Sequence, residues 1–192
     1  MKNTSLLLPI LLIGCSAQQF TPDQDALLSN PLYAETYAES MVDTMVNLEI
    51  YNDPILEDTT VKALADSTKE TWLKVAKAAR AAQGEGQRGT FVPMQQYVEG
   101  EVLYRENMVH FSTFFNTVPG PSLHVFLTTV VDPRDSAFPD TTALDIGVMT
   151  VPYGAQSFPV PEVENPFTYR TVALWDTELK RLYGFAQISK PF

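Results

Sequence analysis

The chain has 192 residues, 45% of them hydrophobic, and it carries a formal net charge of −10. This length fits one ordinary domain, or one small domain with an extension, and the hydrophobic content is that of a globular protein. The negative charge argues against a nucleic-acid partner, because phosphate binding requires a basic surface. One cysteine and two histidines exclude a disulfide framework and a multi-cysteine metal site, so no metal site is predicted.

Residues 1–14 predict a lipoprotein signal peptide. Lys2 supplies a positive charge, and residues 6–13 form an apolar segment that is too short to span a bilayer. Residues 12–15 read LIGC and resemble the bacterial lipobox, which implies that Cys15 is acylated on its sulfur and anchors the chain in a membrane. An ordinary secretory signal with an incidental cysteine is the alternative. The resemblance predicts a bacterial cell-envelope location, and Ser16 favours the outer membrane or cell surface over the inner membrane.

Residues 15–29 are polar and predict a tether, and residues 30–85 predict an α-helical hairpin. Asn30 and Pro31 are typical of a helix start, and Asp53 with Pro54 repeats that signal. Large side chains then recur at helical spacing: Tyr33, Tyr37, Met41, Met45 and Leu48 on the first helix, and Val61, Leu64, Thr68, Trp72, Val75 and Ala79 on the second. We interpret these stripes as packing faces, with a ligand or partner groove as the alternative.

Residues 86–192 predict an antiparallel β-sandwich, so the chain is mainly β with an N-terminal helical hairpin. The glycine-rich segment 84–89 predicts a flexible joint at the boundary. Beyond it lie ten of the fourteen prolines and sixteen of the twenty-one aromatic residues, which is typical of short strands around an aromatic core. Alternating polarity predicts strands over 98–105, 108–114 and 123–127, with a two-residue turn at Glu106-Asn107.

Eight segments in this half resemble, in order, those of the electron transfer DM-thirteen domain family. They are Gly89–Phe91, Tyr97–Gly100, Phe111–Phe114, Gly120–Leu127, Leu144–Gly147, Phe158–Pro161, Val172–Trp175 and Tyr183–Ala186. The resemblance covers about residues 86–192 and implies a role in electron transfer.

Asp176 is where the chain departs from that family. The family pattern carries a cysteine directly after the tryptophan-like position, and here Asp176 follows Trp175. A thiolate exchanges disulfides or changes its oxidation state, whereas a carboxylate does neither. The resemblance therefore makes Asp176 the equivalent of the redox position and predicts that the thiol-based role is lost. Strand parity groups Asp176 with Val172 and Leu174, and the Thr177-Glu178 pair predicts that Asp176 ends its strand at a solvated rim.

His124 and Trp175 are the candidate binding residues in the β region. A single imidazole is not a site by itself, and a structural role for His124 is the alternative. Ser122 and His124 point the same way on one strand, but no third member of a catalytic triad is indicated. His110 is interpreted as a solvent-facing or cross-strand residue. The aspartates of the 131–145 segment supply oxygens of the kind that calcium prefers, but their spacing matches no EF-hand loop, and we interpret the segment as an exposed acidic loop.

Two functions remain open at this level. The first is a cell-envelope lipoprotein with a non-enzymatic β-sandwich module that binds an envelope protein or glycan through its strand-connecting loops. The second is an electron-transfer accessory domain that acts through a bound cofactor, such as haem or flavin, or through a partner. The chain has no nucleophile motif, zinc-protease helix or phosphate-binding loop, which favours the non-enzymatic reading. No cofactor is predicted from the residues.

Overall fold

A computed structural model describes residues 23–190 of the chain, so the predicted signal peptide and Cys15 lie outside the described residues. The helices are α1 (Gln24–Leu28), α2 (Pro31–Ile50) and α3 (Thr59–Glu85), with a 3₁₀ turn at Pro54–Glu57. The strands are β1 (Gln87–Thr90), β2 (Val92–Pro93), β3 (Val98–Glu99), β4 (Glu101–Arg105), β5 (Met108–Phe111), β6 (Asn116–Thr117), β7 (Leu123–Thr128), β8 (Leu144–Val148), β9 (Gln156–Pro159), β10 (Thr171–Asp176) and β11 (Arg181–Gln187). This architecture confirms the predicted fold class.

The helical region begins earlier than predicted, because α1 (Gln24–Leu28) lies within the segment predicted to be a tether, but α2 begins at Pro31 as predicted. Asn30 caps α2 by accepting the backbone N–H of Leu32 over 3.0 Å, and Pro31 occupies the first helical position. The aromatic stripe packs between the helices, since the Tyr37 ring lies 5.0 Å from the Trp72 ring. The predicted face of α3 is wrong at Leu64, which is exposed. Among residues 23–190, no helix is both long and apolar enough to cross a membrane.

The strands form two main antiparallel sheets and a small third one. The first sheet has the order β1-β4-β5-β9, the second has β2-β11-β10-β7-β8, and β3 pairs with β6. Glu106 and Asn107 both have positive φ and join β4 to β5 as predicted. The strand predicted over 108–114 ends at Phe111, because the chain turns there and the Phe115 N–H donates to the Ser112 carbonyl.

The inner faces of the two main sheets form the core. Alternate residues of each strand point inward, and their side chains are buried: Val102, Val109 and Phe111 from the first sheet, and Val125, Leu127, Val172 and Leu174 from the second. Phe111 and Phe115 form the closest aromatic pair, with ring centroids 4.5 Å apart. The predicted alternation and aromatic interior therefore account for the core.

The predicted flexible joint at 84–89 is closely packed at Gly86 and Gly89, whereas a Cβ on Gly84 would meet nothing within 4 Å. A Cβ on Gly86 would lie 2.6 Å from a Leu103 side-chain atom, and one on Gly89 would lie 2.2 Å from the Gln187 carbonyl oxygen. These glycines allow close approach of the helix end and β1 to neighbouring strands. The division of the chain at residues 85 and 86 into two domains stays a prediction.

Candidate functional site

The structure brings three of the predicted site residues together at one end of β7 and β10. His124 is paired directly with Trp175 across these strands, and Leu123 is paired with Asp176. The fourth predicted residue, Cys15, lies outside the described residues. The Trp175 ring is half-buried and packs at 5.4 Å against Phe138, which belongs to the loop between β7 and β8.

Asp176 is a buried hydrogen-bond acceptor. Its side chain has 0% exposure. One carboxylate oxygen, Oδ1, accepts the backbone N–H groups of Glu178 and Leu179 over 3.1 and 2.8 Å, and the other, Oδ2, accepts the N–H of Ser122 over 3.2 Å. Hydrogen bonds to a charged acceptor are strong, and three of them offset the cost of burying the carboxylate. Asp176 therefore holds the turn after β10 and the segment before β7 in place.

Asp176 ends its strand, as predicted, but it is not accessible to solvent, so the prediction of a solvated rim position is wrong in that respect. Asp176 is the last residue of β10, and backbone N–H groups do solvate it. It is covered, however, by Gly120 and Tyr183. A Cβ on Gly120 would lie 2.3 Å from Asp176 Oδ2 and 2.6 Å from the Tyr183 hydroxyl oxygen. Burial, and then the charge of Asp176, raise the pKa of Tyr183.

His124 joins Ser122 and Asp145 in one hydrogen-bonded line. The Nδ1 atom of His124 lies 2.7 Å from Asp145 Oδ2, and Nε2 lies 3.2 Å from Ser122 Oγ. If the proton is on Nδ1, His124 donates it to Asp145, and Nε2 accepts a hydrogen bond from the Ser122 hydroxyl. The Ser122 hydroxyl oxygen in turn accepts a hydrogen bond from Thr177 Oγ1 over 2.7 Å. This is the order of groups in a serine–histidine–aspartate triad.

Sequence reasoning missed Asp145 as the third member of this line. Asp145 lies on β8, and the register between β7 and β8 shifts by an irregularity between Val125 and Phe126. That shift brings the carboxylate beside His124. The one available signal was Gly147, which has a φ of 143° within β8, because a glycine inside a strand often marks a bulge.

The backbone around Ser122 argues against nucleophilic catalysis. A serine nucleophile needs N–H donors that face the developing oxyanion. The N–H of Ser122 is already donated to Asp176 Oδ2, and the N–H of Thr177 is donated to the Ser122 carbonyl over 2.9 Å. Both of these neighbouring donors are therefore used inside the fold, and the hydrogen bond between His124 and Asp145 connects β7 to β8.

The other histidine and the aspartates of the 131–145 segment that sequence analysis considered have separate partners. His110 is buried and cross-strand from Ser157, whose Oγ lies 2.8 Å from its Nδ1, so the solvent-facing alternative is wrong. Burial, and then the positive charge of Arg105, lower the pKa of His110 to about 4. In the 131–145 segment, Asp132 pairs with Arg134, and Asp140 accepts the Thr142 N–H. Within residues 23–190, no group of three or more histidine, cysteine or acidic side chains is placed to hold a metal ion.

Comparison with known proteins gives one match. A family model described as Electron transfer DM13 matches residues 90–188. The matched segment runs from the last residue of β1 through β11 and includes His124, Trp175 and Asp176. No curated protein and no solved structure matches the chain.

Proposed function

Because the chain belongs to the electron transfer DM13 family, we propose that it is a cell-envelope lipoprotein whose β-sandwich binds an envelope partner without itself carrying the electron. Residues 90–188 form a module of an electron-transfer family, and the binding role that we propose is a role of this module. The envelope location rests on the LIGC sequence at residues 12–15, with Cys15 as the anchored residue.

The observation that supports a redox-silent module is the environment of Asp176. This carboxylate stands where the family pattern places a cysteine, it is fully buried, and it accepts three backbone N–H groups. A side chain that serves as a fixed acceptor neither changes its oxidation state nor meets a partner at the surface. The single cysteine of the chain, Cys15, would be consumed as a thioether by lipidation.

Binding without catalysis is supported by the chemistry of the site. The hydroxyl of Ser122 lies beside His124, but the two neighbouring N–H donors are used within the fold. The exposed side chains of the β domain lie largely on the segments that connect strands, among them Phe114, Val131 and Tyr153. Connecting segments on a rigid sandwich are where binding residues are concentrated in many proteins.

The second candidate function is an electron-transfer accessory domain, and the family description favours it. In that case a bound cofactor, such as haem or flavin, or a redox partner would supply the chemistry that Asp176 does not. The two functions differ in a property that is simple to measure, since a haem or flavin absorbs visible light and a protein without a cofactor does not.

The test combines spectroscopy with envelope binding. The protein is purified from its native host, its visible spectrum is recorded, and protein-film voltammetry is run on the same sample. We expect a featureless visible region and no reversible wave for the native protein, and saturable co-sedimentation of the purified, unanchored Cys15→Ala variant with isolated cell envelopes. A haem or flavin band, or a reversible wave, would establish the electron-transfer alternative. A failure to bind envelopes would contradict the binding module.

A further inference from the structure

Two strand-connecting segments and β3 enclose an open depression of about 520 Å³ on the β domain. Its wall consists of Glu99 from β3, residues 113–115 between β5 and β6, Asn116 from β6, and Tyr153 with Gly154 from the segment between β8 and β9. The depression is separate from the line of Ser122, His124 and Asp145, none of which contributes to its wall.

Two aromatic rings of this depression face solvent. Phe114 is 71% exposed and Tyr153 is 65% exposed, whereas Phe115 is 1% exposed and packs in the aromatic core. Burying an aromatic side chain is favourable, so folding leaves a hydrophobic gain unused at each ring. Neighbouring exposed aromatic rings on one depression are characteristic of a surface that is covered when a ligand binds.

Polar groups accompany the aromatic rings. The carboxylate of Glu99 and the amide of Asn116 lie in the wall. The Glu99 side chain is the main cause of a raised pKa of Tyr97. Among residues 23–190, no lysine or arginine lines the depression and Glu99 is its one acidic group, so an anionic ligand would be repelled. The wall offers instead an acceptor and an amide for a ligand that carries hydroxyl groups.

The backbone beneath these side chains is fixed. Gly154 donates its N–H to the Phe115 carbonyl over 2.8 Å, and Thr117 donates its N–H to the Pro152 carbonyl over 2.8 Å. The hydroxyl of Thr117 also donates to the Tyr97 carbonyl over 2.9 Å. These bonds connect the segments on either side of the depression, so the rings are presented on a preorganised surface and little chain entropy is lost on binding.

We propose that this depression binds a neutral saccharide chain, with pyranose rings lying against Phe114 and Tyr153 and sugar hydroxyls bonded to Glu99 and Asn116. A pyranose has apolar C–H faces and a rim of hydroxyl groups, so it matches aromatic rings interspersed with a carboxylate and an amide. The proposal rests on the proposed function as an envelope-binding module and specifies the chemical class of the partner.

The test measures binding of cellohexaose and N-acetylchitohexaose to the full chain in mild detergent by isothermal titration calorimetry. We expect saturable binding of at least one of the two, and an affinity loss of at least tenfold in Phe114→Ala and in Tyr153→Ala. Glu99→Gln should weaken binding less, because the amide still accepts a hydrogen bond. Tyr51→Ala is the matched control, since Tyr51 is 78% exposed but lies on the helical hairpin, and its affinity should be unchanged.

The outcomes separate this proposal from the proposed function. Absence of binding to both saccharides overturns the saccharide proposal, and so does binding that survives both aromatic substitutions in variants with wild-type melting curves. If the unanchored Cys15→Ala protein still co-sediments with envelopes in that case, the binding module stands without its saccharide. Envelope binding that Phe114→Ala abolishes, with neither saccharide bound, would also overturn the proposal and assign the depression to a protein partner.

Discussion

Asn30 connects the helical hairpin to the first sheet, because its Nδ2 donates to the Phe111 carbonyl over 2.8 Å while its Oδ1 caps α2. The side chain is buried, so both hydrogen bonds are formed out of water. One residue thus fixes the start of a helix and the position of that helix on β5.

The first prediction concerns this double role. Asn30→Ala removes the cap, which is worth about 1 kcal/mol, and also removes a buried donor from the Phe111 carbonyl, which costs about 1 kcal/mol more. We therefore expect the free energy of unfolding to fall by about 2 kcal/mol, as measured by urea denaturation. Asp58→Ala is the control, because Asp58 caps α3 from an exposed position and bonds to no strand. Equal losses in the two variants would show that the contact with β5 contributes nothing.

The second prediction tests the boundary between the two regions. We expect a fragment of residues 86–192 to unfold cooperatively by itself, because about 100 residues suffice for a sandwich core. It should be less stable than the full chain. Leu103 and His110 are buried but do not belong to the core between the two main sheets, so we infer that the helical region covers them and that the fragment exposes them. Circular dichroism and urea denaturation measure both properties. An unfolded fragment would mean that the helices are part of the same folding unit.

The local elements were predictable because short sequence signals determine them. Asn30 with Pro31 starts a helix wherever the preceding chain permits, and Glu106-Asn107 makes a tight turn by adopting positive φ. Likewise, a period of two places alternate strand residues in a core. In each case the physical cause lies within a few residues of the effect.

The geometry of the site was not predictable, because it depends on contacts between distant segments. The hydrogen bond between His124 and Asp145 requires a register shift between β7 and β8, and a shift of one residue changes which side chains are in contact. The burial of Asp176 depends on Gly120 and Tyr183, which approach it only in the folded sheet. Strand parity gave the correct face for Asp176 but contained no information about what covers it.

The third prediction concerns Asp176. Asp176→Ala leaves three backbone N–H groups without their acceptor, and each unsatisfied group costs about 1 kcal/mol or more, so we expect a loss of at least about 3 kcal/mol. Asp176→Asn keeps one acceptor oxygen and should lose less. Thermal and urea denaturation measure the difference, and wild-type stability in Asp176→Ala would contradict a structural role.

The same site predicts how a thiol would behave there. In a Cys15→Ala background, Asp176→Cys should resist maleimide in the folded state, because Gly120 and Tyr183 cover the position. Asp135→Cys, at an exposed loop position, is the control and should react at once. Comparable labelling of the two thiols before unfolding would show that position 176 opens to solvent.

The fourth prediction is lipidation at Cys15, which follows from the LIGC sequence at residues 12–15. Radiolabelled palmitate should enter the wild-type protein and be absent from Cys15→Ala, and washing without detergent should release the variant from membranes, because the acyl chains supply the anchoring energy. Ser16→Ala is the control and should keep the label, since it retains the cysteine. Equal label in wild type and Cys15→Ala would rule out the lipobox interpretation.

The last prediction is a pH dependence of stability caused by His110. Its pKa is about 4 in the folded protein and about 6.5 in an unfolded chain, so between these values the unfolded state binds more protons. The free energy of unfolding therefore includes the full contribution of His110 above pH 6.5. That contribution falls as the pH drops toward 4, by up to about 3 kcal/mol for a difference of about 2.5 pH units.

The measurement is a set of urea denaturation curves between pH 4 and 7 for the wild type and for His110→Gln. The carboxylates titrate in both proteins, so the difference between the two pH profiles isolates the imidazole of His110. We expect the wild type to lose more stability than the variant as the pH falls. His124→Gln is the control. It retains His110, so it should also lose more stability than His110→Gln as the pH falls. Parallel profiles for the wild type and His110→Gln would show that the buried imidazole is protonated as easily in the folded protein as in the unfolded chain.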